Sequence, residues 1–337
     1  MRYCFVTVPG GHFPHIIREE TIRPGSYEWY KAFDRYPGWS GEIRYIQDIA
    51  NTEFQKYDIV HINLSGISTE YIQTVKELVA NSSTKLIMNL DYAVENFQES
   101  WKLKSIEFSN ALGCADFLFA QSPFQKSLLQ TIWTHLLRRN DKILLIPHPV
   151  DTQGIKKFYV DPASRIDMVA VQYHRYEGTR HLLIPALIAK GGETLTKGMF
   201  GDLRVEVPTM LYGYTERLLD LALFDYVAPR KGWDKYIYSL AHCTEAVSYY
   251  TIESQDRFLA ETACLGIPTV ATRKSYFGRL FFPHTTFPPE HIETMIKTMQ
   301  KLKCDPAFWN YVKDYAWNAV ERVGDKPSVE RLLSGMR

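Results

Sequence analysis

Apolar residues come along this chain in short runs, separated by longer stretches in which they recur every three or four positions. In the first half the runs are Tyr3–Val8, Glu42–Ile46, Asp58–Leu64, Lys85–Leu90, Asp116–Ala120 and Lys142–Pro147. Runs this short and this apolar predict strands buried on both faces, the habit of a parallel sheet. Between them, Thr69–Ala80 sets Ile72, Val75, Leu78 and Val79 on one helical face, and Phe124–Leu137 repeats that spacing, which predicts crossover helices.

The stretch 147–162 is rich in proline, glycine and charge and reads as a connection between domains. A second alternating series follows. Its apolar runs are Met168–Gln172, Leu203–Val207, Thr209–Tyr212, Ala246–Tyr250 and Thr269–Ala271; its helical patterns are His181–Ala189, Thr215–Leu223, Trp233–Ala241 and Asp256–Leu265. From Pro289 onward, Ile292, Met295, Met299, Phe308, Val312 and Tyr315 fall at helical spacing. The expected fold class is therefore α/β: two Rossmann-like, doubly wound domains facing a cleft. The expected boundaries are 1–150 and 151–304, with closing helices over 305–337 that pack back on the N-terminal domain.

Composition narrows the reading. A chain of 337 residues with 45% hydrophobic and 23% charged side chains is a folded protein of two ordinary domains. Its formal charge of +1 offers no broad field for nucleic acid or an anionic membrane, which leaves at most a local basic groove. Cys4, Cys114, Cys243, Cys264 and Cys304 are scattered without paired spacing, as buried free thiols in a reducing compartment would be. The apolar start is too short for a signal peptide, and no run approaches the roughly 20 residues a spanning helix needs, so a cytoplasmic protein is expected.

Two phrases carry the chemistry. The first is ESQDRFLAE, from Glu253 to Glu261, followed by the small-residue turn Leu265-Gly266-Ile267-Pro268. The second is the run 169–172 leading to Arg175, then Tyr176-Glu177-Gly178-Thr179-Arg180 and an apolar helix. Together they resemble the donor domain of nucleotide-sugar glycosyltransferases of the GT-B fold, family 4 above all, with its E-x7-E element. The resemblance is close over about Met168–Thr272.

It implies that Arg175 and Arg180 neutralise the donor diphosphate, that Glu253 meets the transferred sugar, and that Glu261 meets the ribose. Chemistry agrees: guanidinium forks suit phosphate oxygens, carboxylates accept from sugar hydroxyls, and a helix N-terminus favours an anion. The family's loop between the glutamates is usually rich in glycine, whereas this chain has Ser254-Gln255-Asp256-Arg257. Arg257 there can add a phosphate contact, and Asp256 is expected to repel one. Lys231-Gly232-Trp233 resembles the segment that passes the nucleobase, with Trp233 either stacking on the base or packing in the core.

On the acceptor side, the first strand runs into Gly11 and His12, and glycine lets backbone come close to a ligand. There His12, with His15, can contact phosphate or acceptor. Asp91 follows the run Lys85–Leu90, and parallel strands present ligand-facing groups at their carboxyl ends. Phage DNA β-glucosyltransferases, also GT-B, carry a catalytic aspartate in a similar setting, which makes Asp91 the candidate base; a turn or cap carboxylate suits the position too. Glu95 and Asp58 are weaker candidates for that role.

No Asp-x-Asp stands at a strand end, so the reading requires no metal and no cofactor beyond the nucleotide-sugar co-substrate, expected to be UDP-linked. The acceptor stays open: a carbohydrate, a lipid-linked glycan, or hydroxymethylated DNA gripped by Arg138-Arg139, Lys142, Lys156-Lys157 and Arg230-Lys231. A nucleotide-sugar 2-epimerase would act on donor alone, and a non-catalytic nucleotide-sugar-binding subunit would only hold it.

Overall fold

The computed structural model describes residues 1–7, 28–63, 69–89, 110–135, 137–139, 143–172, 183–189, 191, 204–207, 226–227 and 233–337. The chain forms two compact units, Met1–Asp151 with Arg322–Arg337, and Thr152–Glu321.

The first unit is built on the strands β1 (Arg2–Thr7), β2 (Ser40–Tyr45), β3 (Ile59–Asn63), β4 (Lys85–Asn89), β5 (Phe117–Ala120) and β6 (Leu144–Leu145). All pair in parallel, in the order β2-β1-β3-β4-β5-β6. Because successive side chains alternate between faces, each strand feeds two cores. Cys4, Val6, Val60, Ile62, Leu86 and Met88 meet Ile72, Val75 and Val79 of α2 (Thr69–Val79), and Leu129 and Trp133 of α3 (Pro123–His135). Tyr3, Phe5, Ile59, Ile87 and Phe119 meet Trp29 and Phe33 of α1 (Glu28–Arg35) on the opposite face.

That second core also takes Val329 and Leu332 from α11 (Asp325–Gly335), the last helix of the chain. Arg35, in the last turn of α1, fixes the return: it reaches Asp325 at 2.6 Å, Asp151 at 3.3 Å and Glu28 at 3.5 Å. A cation at a helix carboxyl end also meets the negative pole of the helix dipole. The closing segment 305–337 is thus divided. Its first helix, α10 (Pro306–Ala319), belongs to the second unit, and only α11 belongs to the first.

Helix α1 packs closely on β2 at Gly41. A Cβ on Gly41 would lie 1.7 Å from the main-chain oxygen of Tyr30, an atom that cannot swing aside. Gly41→Ala is therefore expected to push α1 off the sheet and destabilise the protein by about 3 kcal/mol, the upper range for overpacking. A denaturant melt reads this; an unchanged midpoint would show that α1 can shift freely.

In the second unit the strands are β7 (Ile166–Val171), β8 (Arg204–Val207), β9 (Tyr226–Val227), β10 (Cys243–Ser248), β11 (Thr269–Thr272) and β12 (Thr286–Phe287). They too are all parallel, ordered β12-β11-β10-β7-β8-β9. Counted within the unit this is the 3-2-1-4-5-6 order of dinucleotide-binding sheets, whose direction reverses between β7 and β10. Its helices are α4 (Thr152–Lys156), α5 (Leu183–Ala189), α6 (Trp233–Ala241), α7 (Arg257–Cys264), α8 (Tyr276–Phe281), α9 (Ile292–Cys304) and α10.

The α/β reading with parallel sheets holds in both units. The expected strand 209–212 and helix 215–223 lie outside the described residues. One helix, α4, stands inside the stretch read as a connection, with Thr152 and Ile155 buried. Cysteines 4, 243 and 264 are buried as expected, but Cys114 is half-buried and Cys304 exposed; none of the five is in a disulfide. No helix among the described residues is long and apolar enough to cross a membrane.

Candidate functional site at the switch point of the second sheet

In open parallel sheets a ligand binds beyond the carboxyl ends of the strands where the order reverses. Here those ends are Val171 and Gln172 after β7, and Ser248 to Tyr250 after β10. Past β7 the chain enters 173–180, and Arg175 and Arg180 lie there, outside the described residues. Past β10 it runs through Glu253 and Ser254 into α7, all of it described.

The loop into α7 is laced to the loop after β11. The Ser254 amide donates to the Lys274 carbonyl at 3.0 Å, the Tyr276 amide to the Ser254 carbonyl at 2.8 Å, and the Phe277 amide to the Gln255 carbonyl at 3.2 Å. Glu253 faces Arg279 of α8 at 3.5 Å. Ser254 Oγ takes the amide of Asp256 at 3.1 Å.

Asp256 then turns the chain into the helix. Its backbone is left-handed, φ 63° and ψ 79°, and its side chain makes no capping bond to the helix amides. The carboxylate instead meets Ser248 Oγ at 2.5 Å and is buried. Desolvation raises its pKa to about 7, against hydrogen bonds from Ser248, Gln172 and Ser275. This corrects the expectation that Asp256 repels a phosphate. The side chain points into the protein, and its burial favours the neutral acid.

Beyond it, α7 is buried from Phe258 to Cys264. Glu261, one turn and a half in, accepts from Tyr236 Oη at 2.8 Å and from Arg257 Nε at 3.1 Å. Burial raises its pKa, while Arg257, Tyr236 and Trp233 oppose the shift. So Arg257 lies along the helix against Glu261, i to i+4. Trp233, at the start of α6, is buried with its ring edge-on to Phe158, centroids 6.1 Å apart. The far end of α7 is held by Arg165, which donates to the carbonyls of Leu265 at 2.7 Å and Gly266 at 2.9 Å. Gly266 sits at φ 62°, where a Cβ would be strained.

The structure thus gathers Trp233, Tyr236, Arg257 and Glu261 about one helix, and sets Glu253 against Arg279. It adds Ser248, Gln172 and Tyr236, which sequence reasoning missed. Ser248 and Gln172 are ordinary strand-end polar residues until the sheet aligns them with Asp256. The expected acceptor-side residues Gly11, His12 and Asp91 lie outside the described residues. What is described is the strand end before Asp91: His61 Nε2 lies 2.6 Å from Asn89 Oδ1, and Tyr3 hydrogen-bonds the other ring nitrogen. No group of three His, Cys, Asp or Glu among the described residues is arranged to hold a metal.

No family model matches the sequence, and no curated protein matches it. Solved structures do. HepE of Anabaena in complex with UDP-glucose superimposes with a TM-score of 0.69 at 12% identity, over 99% of this chain and 100% of that one. The alpha-glucosyltransferase in complex with UDP and a 13-mer DNA containing a HMU base gives 0.68 at 11% identity, over 100% and 99%. Sucrose-phosphate synthase of Thermosynechococcus elongatus gives 0.64 at 11%, over 99% and 98%. This chain has the GT-B fold. Within that fold the second unit contains the sheet with the dinucleotide-binding strand order.

Proposed function

We propose that this chain is a GT-B glycosyltransferase that moves a sugar from a UDP-linked donor to an acceptor hydroxyl. The observation that carries the reading is the switch point itself. There the N-cap Asp256 turns its side chain away from α7, and Glu261 and Arg257 lie on the helix's first two turns. The positive end of the helix dipole suits a diphosphate. Solved structures that share the fold include complexes with UDP or UDP-glucose, which supports uridine as the base.

In this mechanism Arg175 and Arg180 take up the charge that develops on the departing diphosphate, so no metal is required. Glu261 receives the ribose hydroxyls and Glu253 the sugar. Trp233 supports the nucleobase end through its place at the head of α6. We assign Asp91 as the base for the attacking hydroxyl, and Gly11 and His12, which follow β1 in the sequence, as donor-contact residues.

A second reading of the acceptor, hydroxymethylated DNA, is favoured by the alpha-glucosyltransferase complexes with DNA. Its affinity for such a duplex would fall steeply with salt as counterions return to the phosphates. The donor reading is tested by a thermal-shift panel of nucleoside diphosphates and UDP-sugars. UDP is expected to raise the melting temperature of the wild type, and Arg180→Ala to weaken UDP at least about tenfold, the loss of one charge-assisted phosphate contact. No shift with any nucleotide would defeat the donor reading, and product formed from donor alone would make the protein an epimerase.

A further inference from the structure

A line of buried hydrogen bonds crosses the first sheet where its strand order reverses, between β1 and β3. Tyr3 of β1 bonds His61 Nδ1 of β3, and His61 Nε2 lies 2.6 Å from Oδ1 of Asn89, the last residue of β4. Chemistry fixes the direction of each bond. Oδ1 can only accept, so Nε2 carries the ring hydrogen. Nδ1 then accepts from the Tyr3 hydroxyl, which burial keeps protonated by raising its pKa. The line ends on Asn89 Nδ2, whose hydrogens find no partner among the described residues although the side chain is completely buried.

A buried amide end left unsatisfied costs free energy and calls for an explanation. The fold supplies one. Parallel sheets bind ligands beyond the carboxyl ends of their strands, and Asn89 stands at such an end. Its anchor cannot turn: the His61 ring is walled by Phe5, Trp29 and Phe119, with centroids 5.1, 6.0 and 5.3 Å away. We propose that Asn89 binds the acceptor: its unspent Nδ2 donates to a hydroxyl of an uncharged saccharide at the carboxyl end of β4. The proposal rests on the glycosyltransferase reading above and names its acceptor class.

The neighbouring strand ends select that class. Among the described residues, β1 ends in Thr7, β3 in Asn63, and β5 runs into Gln121 and Ser122, all buried and none charged. A phosphate ester calls for cationic donors, whereas hydroxyls are met by neutral groups that donate and accept. A site that commits a buried donor to a hydroxyl also rejects the analogue without it, because the donor is then left unpaired. In the chain Asn89 is two residues before Asp91, the residue assigned as base.

The experiment measures KM and kcat for transfer from UDP-sugars to neutral mono- and disaccharides, to their phosphate esters and to a hydroxymethylated duplex, beside UDP affinity by calorimetry. Wild type is compared with Asn89→Asp and Asn89→Ala. Aspartate keeps an oxygen for His61 and removes the N–H donor; alanine removes both. Each is expected to raise the KM for a neutral saccharide at least about tenfold, the worth of one buried hydrogen bond to a hydroxyl. UDP affinity should stay within about twofold, since the donor contacts are assigned to the second unit.

Monodeoxy forms of the saccharide separate binding from support. The form lacking the hydroxyl held by Nδ2 should suit wild type as poorly as the parent suits Asn89→Ala, and lose nothing further in that variant. Equal losses for every deoxy form would make Asn89 a support of the sheet and overturn the proposal. An unchanged KM in Asn89→Asp would overturn it too, as would a wild type that binds UDP yet transfers to no neutral saccharide, or that prefers the phosphate ester or the duplex. Should one variant not fold, the other and the wild-type preference still decide. A wild type that binds no UDP removes the donor reading and this proposal together, whereas the other failures remove the proposal alone.

Discussion

Asp91→Asn is expected to leave UDP affinity within about twofold of wild type while lowering the rate of sugar transfer by about a hundredfold to ten-thousandfold, the contribution of a positioned general base. The reasoning starts at β4. The strand ends at Asn89, two residues before Asp91, and Asn89 is completely buried and held by His61, which Tyr3 holds in turn. A base gains its effect from being held at the carboxyl end of a rigid strand, and this strand end is fixed by a buried hydrogen-bonded chain. Donor affinity is expected to survive because the diphosphate contacts are assigned to Arg175, Arg180 and α7. Calorimetry with UDP, beside a transfer assay, separates the two effects. Unchanged turnover would remove Asp91 from the mechanism, and lost UDP binding would move it to the donor site.

Much of this architecture was legible because the sheets are parallel and covered on both faces. Such strands must be apolar throughout, so β1, β3, β4 and β5 stand out as continuous runs. The two-residue strands β9 and β12 give no such signal: Tyr226–Val227 and Thr286–Phe287 are strands only because β8 and β11 lie beside them. Helix α4 was hidden for a similar reason. Its five residues bury just Thr152 and Ile155, too few to set up a period.

At the site, the resemblance carried by ESQDRFLAE reaches residues within one phrase of sequence, which is why it named Arg257 and Glu261. It does not find partners brought by other elements. Tyr236 comes to Glu261 from α6, Ser248 to Asp256 from β10, and Arg165 to the end of α7 from the residue before β7. Asp256 was misread on that account. An aspartate beside a phosphate site looks repulsive until a serine eight positions upstream is seen to hold it inside.

Glu261 shows what those hidden partners do to a test. Glu261→Ala would remove a buried carboxylate that two groups depend on, leaving the Arg257 guanidinium and the half-buried Tyr236 hydroxyl without it. Breaking a buried ion pair from one side costs about 3–5 kcal/mol. Part of that loss is discounted here, because Arg257 keeps some exposure to water, and a figure of about 3 kcal/mol is expected. UDP binding would be lost as well, but through a loosened helix as much as through a missing ribose contact. Glu261→Gln separates the two causes. The amide oxygen still accepts from Tyr236, so stability is expected to stay within about 1 kcal/mol, the worth of one neutral hydrogen bond. If the carboxylate receives the ribose hydroxyls, the amide, with one acceptor oxygen in place of two, should weaken UDP at least about tenfold. Chemical melts give the first quantity and calorimetry the second. Full UDP affinity in a stable Glu261→Gln protein would make this glutamate a strut between α6 and α7, and the ribose would have to be held elsewhere.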